Sequence, residues 1–266
     1  MLINDNLCIF SCNEKGIIML LPPLGNSSWV ETLDICFDYM SDYMDHIGQD
    51  TPESNIEIVD QAFVPRIPID RFQVNLDALE YIYHRDSLVQ MRGRAYKSKR
   101  HSINYLLRNH EVEYKDFSNE YRQDCLRVSQ KWCQQKQNRR LLHKHPLYDS
   151  FLNLSLEMDL KVMNLYNSLG LKGGIVLVDG EVAAFTFGVQ ISSDTACILT
   201  LRTDLEVNGL APFIDKTFAE QFVGCTWINA MDDCGFSDVR RAKFSYHPAF
   251  VLPIFRMWPV DLKVNS

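Results

Sequence analysis

The sequence lacks the features that mark several special classes of protein. No apolar run approaches the roughly 20 residues that are needed to cross a bilayer, and Met1–Glu14 contains no basic segment that would open a secretion signal. Glycine and proline, with 12 and 10 residues, are not enriched, which excludes collagen-like and low-complexity chains. With 266 residues, 46% of them hydrophobic, the chain is predicted to be an ordinary globular protein of the cytoplasm.

Motifs of common catalytic and metal sites are missing as well. None of the eight cysteines forms a Cys-x-x-Cys pair, so we expect reduced, partly buried thiols rather than a zinc or dithiol site. There is no Gly-x-Ser-x-Gly elbow and no convincing cysteine–histidine pair, which argues against a covalent enzyme intermediate. His143 and His145 have no partner at metal-ligand spacing, so no metal site is predicted.

The sequence does have a strongly segregated charge. Between Arg85 and Lys144 there are 15 Lys or Arg against 6 Asp or Glu, whereas the whole chain has 27 against 34. This stretch therefore carries a net charge of +9, and the rest of the chain carries −16. From Ala95 onward the spacing predicts a helix with a cationic face. Such a face is a candidate site for phosphate groups, although it can also be a solvated face paired with acidic neighbours.

The basic helix is the candidate nucleic-acid contact. Tyr96 and Tyr105 are interleaved among its cations and can stack on bases. Neutralisation of about six phosphates would make binding fall steeply with salt. The cations predicted to contact phosphates are Arg94, Lys97, Lys99, Arg100 and Arg108.

Hydrophobic periodicity predicts a mixture of helices and short strands. The N-terminal part reads as a hairpin over 7–21, a helix from Trp29 and a strand at 56–59. Helices over 119–136 and 149–169 follow the basic helix, and Asp179-Gly180 predicts a two-residue hairpin turn. The remaining predicted elements are strands at 174–178, 182–189, 196–201, 226–230 and 249–257, a helix over 212–222 and a helical turn near Val239.

This order of elements is similar to the acyl-coenzyme A N-acyltransferase fold, also called GNAT-like. The segment Ser-Asp-Val-Arg-Arg-Ala-Lys-Phe-Ser-Tyr-His-Pro at 237–248 resembles Gly-Leu-Arg-x-Ala-Lys-x-Ser-Tyr-x-Pro, a signature of the phosphatidylglycerol lysyltransferase C-terminal domain family. The stretch 93–104, the hairpin 173–189 and the segment 229–235 also resemble that family. Together these matches span about residues 80–255.

The resemblance implies an α+β fold of tandem GNAT-like lobes, with mixed, mostly antiparallel sheets flanked by helices. Residues 1–85 would be a short or truncated first lobe, 86–114 a basic connecting helix and 115–266 the C-terminal lobe. By the same resemblance, the activity would be a bacterial aminoacyl or acyl transfer from aminoacyl-tRNA to an amine or hydroxyl of a lipid head group or small acceptor. No further cofactor would be required, and peripheral contact with a membrane is compatible with it.

Direct transfer requires a bound donor, a positioned nucleophile and stabilisation of an oxyanion. Lys243 can neutralise the oxyanion, Tyr246 can donate a hydrogen bond or relay a proton, and Arg240 can orient a phosphate or carboxylate. Asp233, the third candidate catalytic residue, can hold the donor's ammonium group or form a structural ion pair with Arg240. The other predicted substrate contacts are Ser245, Asn229, Arg202, Gly209 and Ala211.

The last two contacts belong to the segment 206–212, between a strand and a helix. In related acyltransferases such a segment presents backbone N–H groups to a pyrophosphate, and here Gly209 and Ala211 fit that pattern. Glu206 places a carboxylate where those acyltransferases have a cation or an amide, which argues against coenzyme A as the ligand. A plain helix start is the alternative interpretation.

Three positions depart from the family pattern. Ala230 and Met231 replace an Arg-Glu pair, and Leu201 stands in place of a Glu. These losses remove polar groups, so two alternatives to aminoacyl transfer stay open. One is a coenzyme A-dependent N-acyltransferase that takes acyl-coenzyme A as its donor, and the other is a catalytically silent binding protein on the same fold.

Overall fold

The structure is a computed structural model that describes residues 1–13, 16–25, 28–48, 54–139 and 148–260. Contacts divide the chain into two compact units. Unit 1 comprises Met1–Glu80, Asp232–Arg240 and Val251–Ser266, and unit 2 comprises Tyr81–Met231 and Arg241–Phe250. Each unit combines separate stretches of the chain, whereas each predicted lobe is one continuous stretch. The predicted lobe boundaries at residues 85 and 114 therefore stay a prediction.

The helices and strands follow one another along the chain with short connections. In chain order they are β1 (Leu2–Ile3), β2 (Asn6–Leu7), β3 (Phe10–Asn13), β4 (Gly16–Met19), α1 (Trp29–His46), β5 (Ile56–Asp60), β6 (Phe72–His84), α2 (Arg85–Gln90), α3 (Lys97–Asn109), β7 (Val112–Asp116), α4 (Arg122–Arg139), α5 (Tyr148–Leu165), β8 (Lys172–Val178), β9 (Glu181–Gln190), β10 (Thr195–Thr203), α6 (Leu210–Glu220), β11 (Trp227–Asp232), α7 (Ser237–Phe244) and β12 (Phe250–Pro259).

Unit 1 is built on a small mixed sheet. Strands β3 and β4 form the predicted antiparallel hairpin, β5 pairs parallel with β4, and β12 pairs antiparallel with β5. Helix α1 contributes Leu33, Cys36, Met40 and Met44 to the core, which is the i, i+3, i+4 spacing of a helix with one apolar face. The predicted N-terminal hairpin, helix and strand are therefore confirmed.

Unit 2 contains an antiparallel meander in the order β7, β8, β9, β10, followed by β11 parallel to β10. Strands β8 and β9 are buried on both faces. Ile175 and Phe185 pack in a core with residues of α4 and α5, whereas Val176 and Ala184 pack in a second core with residues of α3 and α6. Helix α6 makes the crossover that parallel pairing of β10 and β11 requires. This arrangement confirms the predicted α+β class.

Most C-terminal elements lie where the periodicity predicts them. The predicted turn between β8 and β9 is present, with Asp179 and Gly180 both at positive φ, 52° and 87°. Among the described residues, strands β1, β6 and β7 were not predicted, and Tyr81–Tyr83 lies at the end of β6.

No helix in the described ranges is both long enough and apolar enough to cross a membrane. All eight cysteines are free thiols in the structure. The histidines at 143 and 145 lie outside the described residues. In the part of the chain that the structure does describe, no group of three or more His, Cys, Asp or Glu side chains is arranged to hold a metal ion.

Candidate functional site

Five polar side chains of unit 2 meet in one cluster, which we call the Asp215 cluster. Its members are Asp215 on α6, Lys99 on α3, Lys243 near the end of α7, and Ser245 and Tyr246 directly after α7. Asp215 lies close enough to Tyr246, Lys99 and Lys243 for each of them to lower its pKa. The Lys99 ammonium lies 3.7 Å from the centroid of the Tyr246 ring and donates to the Ser245 hydroxyl at 2.8 Å. The cluster thus combines a carboxylate, a phenol and two cations.

Packing of α6 determines where its carboxylate points. Leu210, Ile214 and Phe218 form a fully buried stripe along the helix. Asp215 follows Ile214 and is half-buried beside this stripe, among groups from α3 and from the segment after α7. Sequence patterns do not single out this residue, because one acidic residue beside an apolar stripe is typical of any amphipathic helix.

Two buried tyrosines hold the segment that carries Lys243 and Tyr246. Tyr83 donates its hydroxyl proton to the backbone carbonyl of Lys243 at 2.9 Å, and Tyr96 donates to the carbonyl of Tyr246 at 2.6 Å. The Tyr246 ring also packs against a small core that includes Met91. The phenol is therefore fixed through both its backbone and its ring.

Burial determines the charge states in the cluster. It raises the pKa of Asp215 to about 6, although the Tyr246 hydrogen bond and the positive charges of Lys99 and Lys243 lower it. Burial likewise raises the pKa of Tyr246 well above its usual value, with the negative charge of Asp215 adding to the effect. At neutral pH the carboxylate is therefore mostly ionised, and the phenol is protonated.

Lys243 also contacts the end of β11. Its ammonium donates to the backbone carbonyl of Ala230 and, at 3.2 Å, to that of Met231. Met231 has a positive φ of 60°, and its N–H is bonded to the Asn229 side-chain oxygen at 2.7 Å. Lys243 contacts only the main-chain oxygens of Ala230 and Met231 here. These contacts therefore do not depend on the side chains of the two residues, which are the ones that depart from the family pattern.

Asp233 and Arg240 form an ion pair within unit 1. The Arg240 Nε is 2.7 Å from Asp233 Oδ2, and the carboxylate is fully buried. The other carboxylate oxygen accepts the N–H of Gly235 at 3.1 Å. The structural ion pair, one of the two roles predicted for Asp233, is therefore present, while contact with a donor's ammonium group stays a prediction.

Arg202 belongs to a second buried network in unit 2. Its Nε donates to Asp159 Oδ2 at 2.8 Å, and its guanidinium lies 4.5 Å from the centroid of the Trp132 ring. Asp159 is fully buried and also accepts the hydroxyls of Ser129 and, at 2.8 Å, Thr200. The contacts of Arg202 are thus made within the fold, and its predicted contact with substrate stays a prediction.

The start of α6 is used for packing. Gly209 has a φ of 89°, and a Cβ at this position would collide with the backbone carbonyl of Ser102 on α3. Pro212, in the first turn, has no N–H, and the N–H of Phe213 is bonded to the carbonyl of Gly209. Gly209 is thus required by the packing of α6 on α3, and the anion-binding role of Gly209 and Ala211 stays a prediction.

Replacement of Gly209 by alanine is expected to lower the free energy of unfolding by about 1 to 3 kcal/mol, because α3 and α6 must separate to admit the methyl group. The positive φ adds to the cost. Urea unfolding measures the change. Gly180→Ala is a matched control, because Gly180 also has a positive φ, 87°, but a Cβ there would meet nothing within 4 Å. Equal losses in the two variants would contradict the packing explanation.

The five predicted phosphate-binding cations fall into two groups. Arg94, Lys97 and Arg108 are exposed. Lys99 takes part in the Asp215 cluster, and Arg100 donates to the backbone carbonyls of Met91 and, at 2.8 Å, Gly93. Of the five, only Arg94, Lys97 and Arg108 are thus fully on the surface, and their contact with phosphates stays a prediction.

A cavity of about 540 Å³ lies elsewhere in unit 2. None of the predicted site residues lines it. Among its lining residues, Lys131 forms an ion pair with Asp204 at 2.7 Å, and His110 is hydrogen-bonded to Asp179 at 2.6 Å.

Comparison with solved structures defines the class of the fold. A tandem GNAT protein from the clavulanic acid biosynthesis pathway is similar with a TM-score of 0.51 and 9% identity, over 92% of this chain and 75% of that chain. A conserved protein of unknown function from Bacteroides thetaiotaomicron VPI-5482 matches with a TM-score of 0.74 and 24% identity, over 97% and 84%. The predicted GNAT-like fold is thereby confirmed.

The family can also be stated. L-PGS from Bacillus licheniformis is similar with a TM-score of 0.57 and 15% identity, over 98% of this chain and 82% of that one. The family described as phosphatidylglycerol lysyltransferase, C-terminal, matches residues 2–257, and the chain belongs to it. The match is wider than the motifs at 80–255 and confirms the resemblance. No curated protein sequence matches the chain.

Proposed function

We propose that this protein transfers an aminoacyl group from aminoacyl-tRNA to an amine or hydroxyl of a lipid head group or another small acceptor. Membership of a lysyltransferase-related family supports a transferase. The observation that carries the proposal is the Asp215 cluster, in which the Lys99 ammonium lies 3.7 Å from the centroid of the Tyr246 ring and donates to the Ser245 hydroxyl at 2.8 Å. These groups suit acyl transfer, because they can move a proton and stabilise negative charge on oxygen.

The transfer is direct. A lone pair of the acceptor attacks the ester carbonyl carbon, a new bond to that carbon forms, and the bond from the carbon to the ribose oxygen breaks. Tyr246 provides the hydroxyl at which a proton is exchanged. The ammonium groups of Lys99 and Lys243 supply positive charge for the oxyanion that develops during attack. Two bound substrates and no enzyme nucleophile are sufficient for this chemistry.

The exposed cations are the proposed contact with the donor. Arg94, Lys97 and Arg108 present positive charge before and along α3, and Tyr105 is also exposed on this helix and available for stacking. The phosphate backbone of tRNA provides most of the affinity in such an interface and makes it depend on salt.

Binding of charged tRNA is expected to weaken with salt, and the double variant Lys97→Ala/Arg108→Ala is expected to reduce the slope of log affinity against log salt by about 1.5. Fluorescence anisotropy at several salt concentrations measures the slope. The matched control is Arg127→Ala/Lys161→Ala, which removes one Arg and one Lys that are also exposed in unit 2. An equal loss in the control would show that the surface is not specific.

The donor and acceptor are identified by incubation with a mixture of charged tRNAs, or with acyl-coenzyme A, in the presence of cell extract. Mass spectrometry of the products is the readout. An aminoacylated product that depends on charged tRNA supports the proposal. A product that forms only with acyl-coenzyme A replaces it with the coenzyme A-dependent alternative, and absence of any product under both conditions supports the catalytically silent alternative.

A further inference from the structure

Two cysteines of unit 1, Cys8 and Cys36, meet in its core, and neither the motifs nor the family match assigns them a role. Their sulfur atoms are 3.5 Å apart, and both side chains are fully buried. We propose that they form a disulfide when the protein meets an oxidising small-molecule disulfide, and that this bond fixes the segment 6–9 to helix α1. The inference concerns unit 1 alone and does not depend on the proposed function.

The segment 6–9 lies on α1 in a matched register. Asn6 and Cys8 are fully buried while Leu7 between them is exposed, as in an extended segment with one face against the core. Thr32 and Cys36 are four positions apart and share one face of the helix. Asn6 Nδ2 donates to Thr32 Oγ1 at 3.0 Å, one helical turn from the contact of the two thiols. The register of the segment on the helix therefore brings the two sulfur atoms together.

Backbone hydrogen bonds hold Cys8 from both sides. The N–H of Leu7 is bonded to the carbonyl of Leu24 at 2.8 Å, and the carbonyl of Ile9 accepts the N–H of Leu20 at 2.9 Å. The partner thiol lies in the middle of α1. The sulfur atoms of a disulfide are about 2.05 Å apart, so these two must approach by about 1.5 Å. Rotation of the two side chains about their Cα–Cβ bonds can supply this movement.

The reduced pair is protected while the core is closed. The Cys36 thiol donates to the Cys8 sulfur, and the Cys8 thiol donates to the carbonyl of Asn6 at 3.7 Å. Burial raises the pKa of the Cys36 thiol far above its usual value, which keeps this thiol protonated and unreactive. Oxidation therefore requires local opening of the segment, which continues the short hairpin of β1 and β2.

The oxidation balances with one molecule of a small disulfide such as oxidised glutathione. One protein thiol loses its proton, and its sulfur attacks the reagent, forms a mixed disulfide and displaces the first glutathione thiolate. The second protein sulfur, after loss of its proton, attacks the first, and the bond to the remaining glutathione breaks as the bond between Cys8 Sγ and Cys36 Sγ forms. The two protons pass to the two glutathione thiolates, and the reagent takes up two electrons.

The new bond would connect positions that are 28 residues apart in sequence. A cross-link of this length restricts the unfolded chain, and it is expected to lower the equilibrium constant for unfolding by roughly 30- to 1000-fold. It also prevents the segment 6–9 from separating from α1. Oxidation thus converts a contact that can open into a permanent one, and reduction reverses it.

The first experiment maps disulfides in the full chain after treatment with oxidised glutathione. Tandem mass spectrometry, which distinguishes Cys8 from Cys12, is the readout, and Cys8–Cys36 is expected as the main link in the folded protein. The same treatment in urea is the control, because loop closure in an unfolded chain favours the nearer pair Cys8–Cys12. Recovery of Cys8 and Cys36 as free thiols, or the same mixture of links with and without urea, would overturn the proposal.

The second experiment compares urea unfolding of the oxidised and reduced protein. Oxidation is expected to raise the urea midpoint, and dithiothreitol is expected to return it to the reduced value. Glutathione adducts on the exposed Cys12 and Cys234 close no loop and are not expected to raise it. A Cys8–Cys36 link with an unchanged or lower midpoint would show that the bond forms only by distorting the fold, and it would overturn the stabilising role.

Two variants show that the effect belongs to this pair. Cys36→Ala is expected to abolish both the link at Cys8 and the rise in the midpoint. Cys125→Ala is the matched control, because Cys125 is equally buried in a core of unit 2 whose described members include no second cysteine. Loss of the oxidative stabilisation in Cys125→Ala, or its survival in Cys36→Ala, would contradict the assignment. If Cys36→Ala does not fold, the disulfide map of the unmodified chain still decides.

Discussion

Replacement of Arg202 by methionine is expected to lower the free energy of unfolding by about 3 to 5 kcal/mol. Methionine keeps much of the volume but removes the guanidinium that neutralises Asp159. That carboxylate is fully buried, and its remaining contacts are with the hydroxyls of Ser129 and Thr200. A buried charge without a cation is much less stable than the same charge in water. Urea unfolding at pH 7 measures the loss.

Two variants show whether charge or packing is responsible. Arg127→Met removes an exposed Arg that pairs with Asp124, and a change of at most about 1 kcal/mol is expected. The double variant Arg202→Met/Asp159→Leu removes both charges, and we expect it to be more stable than Arg202→Met alone. If Arg202→Met costs no more than Arg127→Met, the buried network does not depend on its cation. If the double variant is the least stable, packing rather than charge is decisive.

Local patterns were sufficient to predict most of the secondary structure. The apolar stripe of α1, the Asp-Gly turn between β8 and β9 and the short apolar strands all have signals that lie within a few residues. Strand β6 has no such local signal, because its buried and exposed positions do not alternate regularly. A strand of this kind is specified by the neighbours that cover it rather than by its own pattern.

The candidate site shows the same limit. Lys243, Ser245 and Tyr246 were predicted because they occur together in one motif. Asp215 is about 30 positions away on another helix, and only folding brings it to Tyr246. Lys99 was predicted as a phosphate contact because its helix is basic, yet its ammonium contacts the Tyr246 ring and Ser245. Sequence spacing identifies residues on one helix face, but it does not pair side chains from different elements.

Arg202 and Arg240 illustrate why predicted binding residues can have structural partners. Arg240 lies in a motif that resembles the family, whereas Arg202 follows a position that departs from it, and each is paired with a fully buried carboxylate. Exposed charge pairs contribute little to stability, whereas a buried carboxylate requires a nearby cation. A cation that is retained for this reason has the same appearance in a sequence as one that binds a substrate.

Tyr246→Phe is expected to reduce kcat/KM for transfer by about 100- to 1000-fold, because it removes the hydroxyl at which the proton is exchanged. The variant keeps the ring that packs against Met91, Tyr96 and Ile103 and that faces Lys99. The hydrogen bond from Tyr96 to the backbone at residue 246 is also retained. We therefore expect KM to change little and the free energy of unfolding to fall by only about 1 to 2 kcal/mol.

A control variant decides whether the loss is specific to the Tyr246 hydroxyl. Tyr166→Phe, in a buried cluster of aromatic rings with Phe117 and Phe187, is the control for loss of a phenol elsewhere and is expected to retain full activity. Activity of Tyr246→Phe within a few-fold of normal would exclude the hydroxyl from the reaction.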